Sequence, residues 1–298
     1  TSEKVDLSSP ESAARALRSP NYCLRAQAWL AFHRFQHTGL SVLNSLLRDE
    51  SPQIRARALW LIGQIEGQEE AAVLSAAEDE HPDVRVTALR IAAQTDHRLE
   101  EVITRFVNDS SPRVRAEAAV HLQYLPVERV PDPWAQLALM HTSGDRWSLE
   151  ALGIGARRNW TACLEAWIAV SSRQSRPAKH EIIWRSRGTQ TPALLADILE
   201  NLQPEEDGAR YVRAFDFQQQ NARRDAALLR VALMSGLPDK LTTAAFERLP
   251  SGLVDDPNRR AELVRRLRKV PVTSGMLNLI RRSGLREAAD VLLRASLE

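Results

Sequence analysis

Cysteine is nearly absent from this chain of 298 residues, which holds only Cys23 and Cys163. Two thiols so far apart cannot make a CxxC metal or redox motif, nor the CxxCH that attaches haem covalently. Each lies among apolar neighbours, Tyr22 and Leu24 or Ala162 and Leu164, and this predicts two buried free thiols. Long hydrophobic runs are also missing. Nothing approaches the roughly 18 apolar residues that a membrane-spanning helix needs. Neither sign of charge dominates: 40 Lys and Arg face 38 Asp and Glu, a net charge of +2. No global field therefore calls for nucleic acid or an anionic membrane. Glycine is sparse, and there is no G-x-S-x-G, no H-E-x-x-H and no phosphate-binding glycine loop. The start, Thr1-Ser2-Glu3-Lys4, does not read as a signal peptide.

What is present is a repeat. Arg25, Arg55, Arg85 and Arg115 recur every 30 residues, each followed three residues later by Ala28, Ala58, Ala88 or Ala118. Asp49, Asp79 and Asp109 keep the same interval, as do Pro52, Pro82 and Pro112. A fixed period of this length marks stacked supersecondary units that share one continuous core. Ser51-Pro52 and Ser111-Pro112 read as an N-cap followed by a first-turn proline, with His81-Pro82 in the same place. An aliphatic residue (Leu24, Ile54, Val84, Val114) precedes each arginine, and apolar residues follow at helical spacing. The recurring alanine lets a neighbouring helix approach closely. Leu43, Val73 and Ile103 fall in step in a second helix of each unit. Each unit thus holds two helices of roughly three turns. The first unit departs from the pattern, with Ser19 for the aspartate and Tyr22 for the proline, as expected of a terminal unit.

The strict period ends near residue 124, at the proline-rich stretch from Leu125 to Pro133. Residues 1–124 are therefore read as regular repeats with an N-terminal cap, and residues 125–298 as irregular helix pairs continuing the same superhelix. The pairs are expected over Arg146–Val170 (split by Gly153 and Gly155), His180–Asn201, Ala209–Met234, Leu241–Val270 (around Pro250-Ser251-Gly252) and Gly275–Leu297. The predicted fold is all-α: a right-handed αα solenoid of HEAT-type repeats with roughly nine helix pairs.

The arginine–aspartate ladder reads as structural. An aspartate in a turn and an arginine in a helix can tie adjacent units by charge-assisted hydrogen bonds. Repetition at one place in every unit is what such a tie requires, whereas a binding site varies. Of seven tryptophans, Trp29 and Trp60 are expected in the core. The others cluster in the middle third beside arginines, and interleaved aromatics and arginines can form a recognition surface. Asp145, Arg146, Trp147, Trp184, Arg185 and Arg187 are the candidate residues, although large rings filling an irregular core would give the same pattern. Asp145 could equally be a helix cap. His33 and His37 are one turn apart but no third ligand completes a metal set, so no metal and no cofactor is expected. The run from Arg259 to Lys269 carries six cations against Glu262 and reads as a solvated helix face.

The first four units resemble HEAT repeats of the phycobilin-lyase type, a label that covers many scaffolds without lyase activity. The segment from Asp145 to Ala156, DRWSLEALGIGA, resembles part of a family of large bacterial proteins. So do Ile182-Ile183-Trp184-Arg185-Ser186-Arg187 and the segment from Arg210 to Phe217, RYVRAFDF. Members of this family, the PVC-type haem-binding proteins, join a dehydrogenase-like β-propeller, a helical array and a c-type haem domain. The resemblance spans roughly residues 10 to 295, all within the helical portion. Ser148 stands where the family carries an aromatic residue, and neither CxxCH nor propeller is present. The resemblance implies a scaffold that spaces flanking domains of an exported redox protein, and it carries no catalytic residue onto this chain. The ending Leu297-Glu298 reads as a cloning remnant and fits a portion of a longer polypeptide.

Taken together, these readings point to a non-catalytic scaffold or protein-interaction module whose partner is another protein or flanking domains of the same chain. One alternative is a nucleic-acid-binding protein of the alkylpurine DNA glycosylase kind, cradling DNA with tryptophan and aspartate. The near-neutral charge argues against it. A second alternative, a bilin lyase or chaperone, follows only from the repeat label.

Overall fold

The computed structural model describes residues 6–250 and 257–295, and among these residues there are nineteen α-helices and no strand. Neighbouring helices pack in pairs, and the chain is an α solenoid. It divides into two compact units, Thr1–Arg158 and Asn159–Glu298.

The first unit contains α1 Pro10–Leu17, α2 Tyr22–Phe35, α3 Leu40–Leu46, α4 Pro52–Ile62 and α5 Glu69–Ala77. It continues with α6 Pro82–Thr95, α7 Leu99–Phe106, α8 Pro112–His121, α9 Pro131–Leu139 and α10 Arg146–Gly155. The even-numbered helices from α2 to α10 contact one another in sequence; α5 and α7 pack between consecutive members of that row, and α3 packs against α4 and α1. The repeat explains this order. Ala28, Ala58, Ala88 and Ala118 lie on the even-numbered helices α2, α4, α6 and α8 and are fully buried. Leu43, Val73 and Ile103 seal the second helices against them.

Each turn between repeats is built by the aspartate. Asp49 Oδ1 accepts from the Ser51 amide at 2.9 Å, Asp79 Oδ1 from His81 at 2.8 Å and Asp109 Oδ1 from Ser111 at 2.8 Å. Ser51 and Ser111 occupy the N-cap positions, but neither side chain accepts a capping hydrogen bond; the Ser51 hydroxyl turns to Gln53 instead. The cap expected of these serines is therefore positional, and the turn chemistry belongs to the aspartate two residues earlier. His81 does cap with its side chain, its Nδ1 accepting from the Asp83 amide at 3.2 Å, as does Asn21 at the equivalent place in the first repeat, its Oδ1 accepting from the Cys23 amide at 2.9 Å.

The sequence period stops at residue 124, whereas the compact unit runs on to Arg158 because α9 and α10 continue its packing. Gly153 and Gly155 do not split a helix pair; both lie inside α10, and the break comes at 156–159. A Cβ on Gly155 would stand 2.3 Å from the carbonyl oxygen of Ala119. The glycine is there so that α10 can lie against α8, which is a packing role that reads as a turn signal in sequence. Trp134 fastens the same helix, its Nε1 donating to the Leu152 carbonyl at 2.9 Å.

The second unit holds α11 Trp160–Val170, α12 Arg176–Arg185, α13 Thr191–Glu200, α14 Gly208–Ala214 and α15 Ala222–Leu233. After them come α16 Asp239–Glu247, α17 Pro257–Leu267, α18 Ser274–Arg282 and α19 Ala289–Ala295. Two rows of alternate helices run through it, α12–α14–α16–α18 and α13–α15–α17. Its core includes Trp167, Phe215 and Phe246. Within the expected pairs His180–Asn201 and Gly275–Leu297 the helices separate at Gly188 and Gly284, while Ser251-Gly252 and Leu297-Glu298 lie outside the described residues. Arg260 on α17 pairs with Glu287, and Arg268 just past its end pairs with Asp290, so carboxylates of the following segment offset part of this basic run.

Candidate interaction surface

The recurring arginines work from one edge to the other. Arg55 Nη1 donates to the carbonyls of Asp49 (2.9 Å) and Glu50 (3.3 Å) in its own turn. Its Nε and Nη2 grip the Asp79 carboxylate of the next turn at 2.7 and 2.8 Å. Arg85 repeats the pattern on Asp79, Glu80 and Asp109. Arg115 keeps the carbonyl half, bonding Asp109 and Ser110. Arg25 also keeps that half, bonding Ser19 and Pro20 at 2.8 and 2.7 Å, but its counterpart Asp49 pairs with Arg18. Burial pushes the Asp79 and Asp109 carboxyls up, and the hydrogen bonds from Arg55 and Arg85 and from the turn amides more than reverse it, holding both below the usual range.

Of the six candidate recognition residues, three belong to the first unit. Asp145 caps α10, its Oδ1 accepting from the Ser148 amide at 3.0 Å. Arg146 is exposed and Trp147 is 83% exposed. An indole so placed stands in water at the first turn of a helix that is anchored by Gly155 and Trp134.

The other three lie in the second unit, at the end of α12. Trp184 lies under the Arg210 guanidinium, 4.8 Å from its ring centre, and Arg210 also sits 5.3 Å from Tyr211. Arg185 stands 6.0 Å from the Trp160 ring. Arg187 Nη1 donates to the carbonyls of Arg185 and Ser186 at 2.8 and 2.6 Å, closing the helix end, and its guanidinium stacks 5.1 Å from Phe217. Phe217 is itself 64% exposed. The segment ending α12 and the segment carrying Arg210 and Phe217 are thus neighbours, held by Gln218 Nε2 donating to the Ser186 carbonyl at 3.2 Å.

Beneath these stacks is a polar group that sequence reading missed. His180 Nδ1 lies 2.8 Å from Glu206 Oε1, Arg176 Nη2 lies 3.1 Å from Oε2, and the Tyr211 ring meets the imidazole edge-on at 5.8 Å. Burial pushes the His180 imidazole below its ordinary value against the pull of Glu206. Burial pushes the Tyr211 phenol up. Glu206 is raised by burial and lowered by the Gln203 amide, His180 and Arg176, and the net direction is down. A neutral His180 beside a carboxylate must place its proton on Nδ1 and donate it. The only sequence signal for this set was the segment beginning at Arg210; His180 and Glu206 are 26 residues apart and carry no motif.

Several expectations change. Trp29 and Trp60 are half-buried, not core; Trp134 and Trp167 are the buried tryptophans. Cys163 is buried, and desolvation raises its thiol to about 12, but Cys23 is exposed in the first turn of α2. Among the described residues no group of three or more His, Cys, Asp or Glu side chains is placed to hold a metal. No helix among them is long and apolar enough to cross a membrane.

No protein-family model and no curated protein matches the chain. Among solved structures, the chain is similar to the crystal structure of an engineered protein at 15% identity and a TM-score of 0.44, covering 92% of this chain and 87% of that one.

Proposed function

We propose that this chain is a HEAT-type scaffold that binds another protein through exposed aromatic and arginine side chains. The observation that carries the reading is Trp147, whose indole is 83% exposed on an anchored helix. Leaving so large an apolar surface in water is unfavourable. Tryptophan and arginine are also the side chains that dominate protein–protein binding energy. Arg146 beside Trp147, Arg25 beside Tyr22 and Arg187 beside Phe217 give the same combination in three places. The likeness to the helical portion of haem-binding multidomain proteins supports the same role, with flanking domains as partners.

The test is chemical cross-linking of the protein in its native host, followed by affinity measurement with the captured protein. The account expects Trp147→Ala to weaken that complex at least about tenfold while leaving the melting temperature unchanged. Turnover of a sugar or aldehyde with an artificial electron acceptor by this chain alone would overturn it. So would saturable, salt-dependent binding of duplex DNA.

A further inference from the structure

The first repeat departs from the others in a way that creates a site. Arg25 holds the ladder position of Arg55 and Arg85, and its Nη1 is anchored on two turn carbonyls as theirs are. In those two repeats the opposite edge of the guanidinium chelates an aspartate 24 residues on. The equivalent carboxylate for Arg25 is Asp49, and Arg18 has taken it. Among the described residues, no carboxylate bonds to Arg25.

Arg25 borders an open groove of about 600 Å³ whose wall also includes Tyr22, Trp29, Leu30 and Arg57. Tyr22 is 74% exposed and Leu30 58% exposed. Arg25 lies 5.8 Å from the Tyr22 ring centre. Arg57 reaches the groove with its Nη1 bonded to the Leu17 carbonyl at 2.6 Å, and no carboxylate among the described residues bonds to it either. Burial, with the charge of Arg25 added, lowers the Arg57 guanidinium from its usual value. The lining thus combines two cations, two aromatic rings and an exposed leucine with no acidic residue. Like charges beside partly desolvated apolar surface are unfavourable until an anion joins them.

We propose that this groove binds an extended segment of a partner protein that presents an Asp or Glu carboxylate beside a large apolar side chain. The carboxylate takes the place that an aspartate holds against Arg55 and Arg85, and the apolar side chain covers Tyr22, Trp29 and Leu30. Arg is suited to this because its fork matches a carboxylate with two parallel hydrogen bonds. The inference rests on the protein-binding reading above and gives it a partner chemistry, at a surface separate in sequence from Trp147.

The experiment uses the full chain and an array of synthetic peptides in which Glu, Gln or Lys stands beside Leu, Phe or Ser. The tightest peptide is then labelled with fluorescein and titrated by anisotropy. Expected is selection of Glu beside Leu or Phe, loss of binding when Lys replaces Glu, and weakening of about tenfold or more in Arg25→Gln. Leu30→Ser, an exposed position, should weaken binding with no change in melting temperature, which separates groove chemistry from folding. Equal binding of Glu and Gln peptides, or unchanged affinity in both variants, would overturn the proposal. Concentration-dependent dimerisation abolished by Leu30→Ser would also overturn it, since a second copy would then be the occupant. If the peptides fail while Trp147→Ala still releases the cross-linked partner, the groove proposal falls and the scaffold reading stands. If Trp147→Ala releases nothing while the peptides bind as expected, the Trp147 reading falls and the groove stands.

Discussion

The Arg55 guanidinium meets the Asp79 carboxylate edge to edge, Nε to Oδ2 at 2.7 Å and Nη2 to Oδ1 at 2.8 Å, across the boundary between consecutive repeats. Asp79 in turn holds the His81 amide, and Arg55 holds the carbonyls of Asp49 and Glu50. One ion pair therefore fixes two turns at once, and it does so with both side chains nearly out of water.

Removing Asp79 leaves that nearly buried guanidinium with its two turn carbonyls and only the exposed Glu80, 3.8 Å away, as a counter-charge. Asp79→Ala is expected to destabilise the protein by about 3 kcal/mol, the lower end of the range for breaking a buried pair. Asp49 pairs with the half-exposed Arg18, so Asp49→Ala should cost about 1 kcal/mol, mostly the lost turn bond. Urea denaturation of the two variants checks the ranking, and equal losses would show that the Arg55–Asp79 pair has no special weight.

The same carboxylates set the response to acid. Asp79 and Asp109 titrate below their usual range in the folded protein, so the unfolded chain takes up their protons first as pH falls. Their contribution is complete above the ordinary aspartate value of about 3.9 and is lost as pH drops through the folded values. The acid limb of the stability curve should therefore flatten in an Arg55→Gln, Arg85→Gln double variant, as measured by denaturant midpoints between neutral and strongly acid pH.

His180 acts in a higher window. Its folded value lies below the ordinary imidazole value of about 6.5, so lowering pH through that value protonates the unfolded state first and weakens folding. His180→Gln should remove this slope near pH 6 while keeping the acid limb below it. An unchanged slope near pH 6 would mean that another group carries it.

The two thiols should separate cleanly. Cys23 is exposed, whereas Cys163 is buried with its thiol pushed up to about 12. Iodoacetamide should label one site in the native protein and both in denaturant, read by intact mass. Labelling of Cys163 under native conditions would mean that α11 opens readily.

Gly155→Ala should be costly although alanine favours helix. Its Cβ would stand 2.3 Å from the Ala119 carbonyl oxygen, so α10 must move off α8. A loss of about 1–3 kcal/mol is expected. Calorimetry on the variant gives the sign directly.

Much of this architecture can be read in the sequence, because an exact 30-residue interval forces Ala58, Ala88 and Arg55, Arg85 into equivalent surroundings. The readings that failed did so where local pattern and tertiary context part. Gly155 reads as a breaker because sequence does not show the carbonyl of Ala119. Ser51 reads as a cap because sequence does not show that Asp49 reaches the turn first. Trp29 stands among Ala28, Leu30 and Ala31 and reads as core, yet the packing leaves its ring only half-buried. The contact of His180 with Glu206 depends on α12 and α14 lying side by side, which no spacing rule encodes.

Binding of the cross-linked partner by wild-type protein and by Trp147→Ala, compared by titration calorimetry, tests the central claim most directly. The account predicts a saturable complex for the wild type, weakened at least about tenfold in a variant of unchanged stability. An affinity that does not change on removing this indole would contradict it.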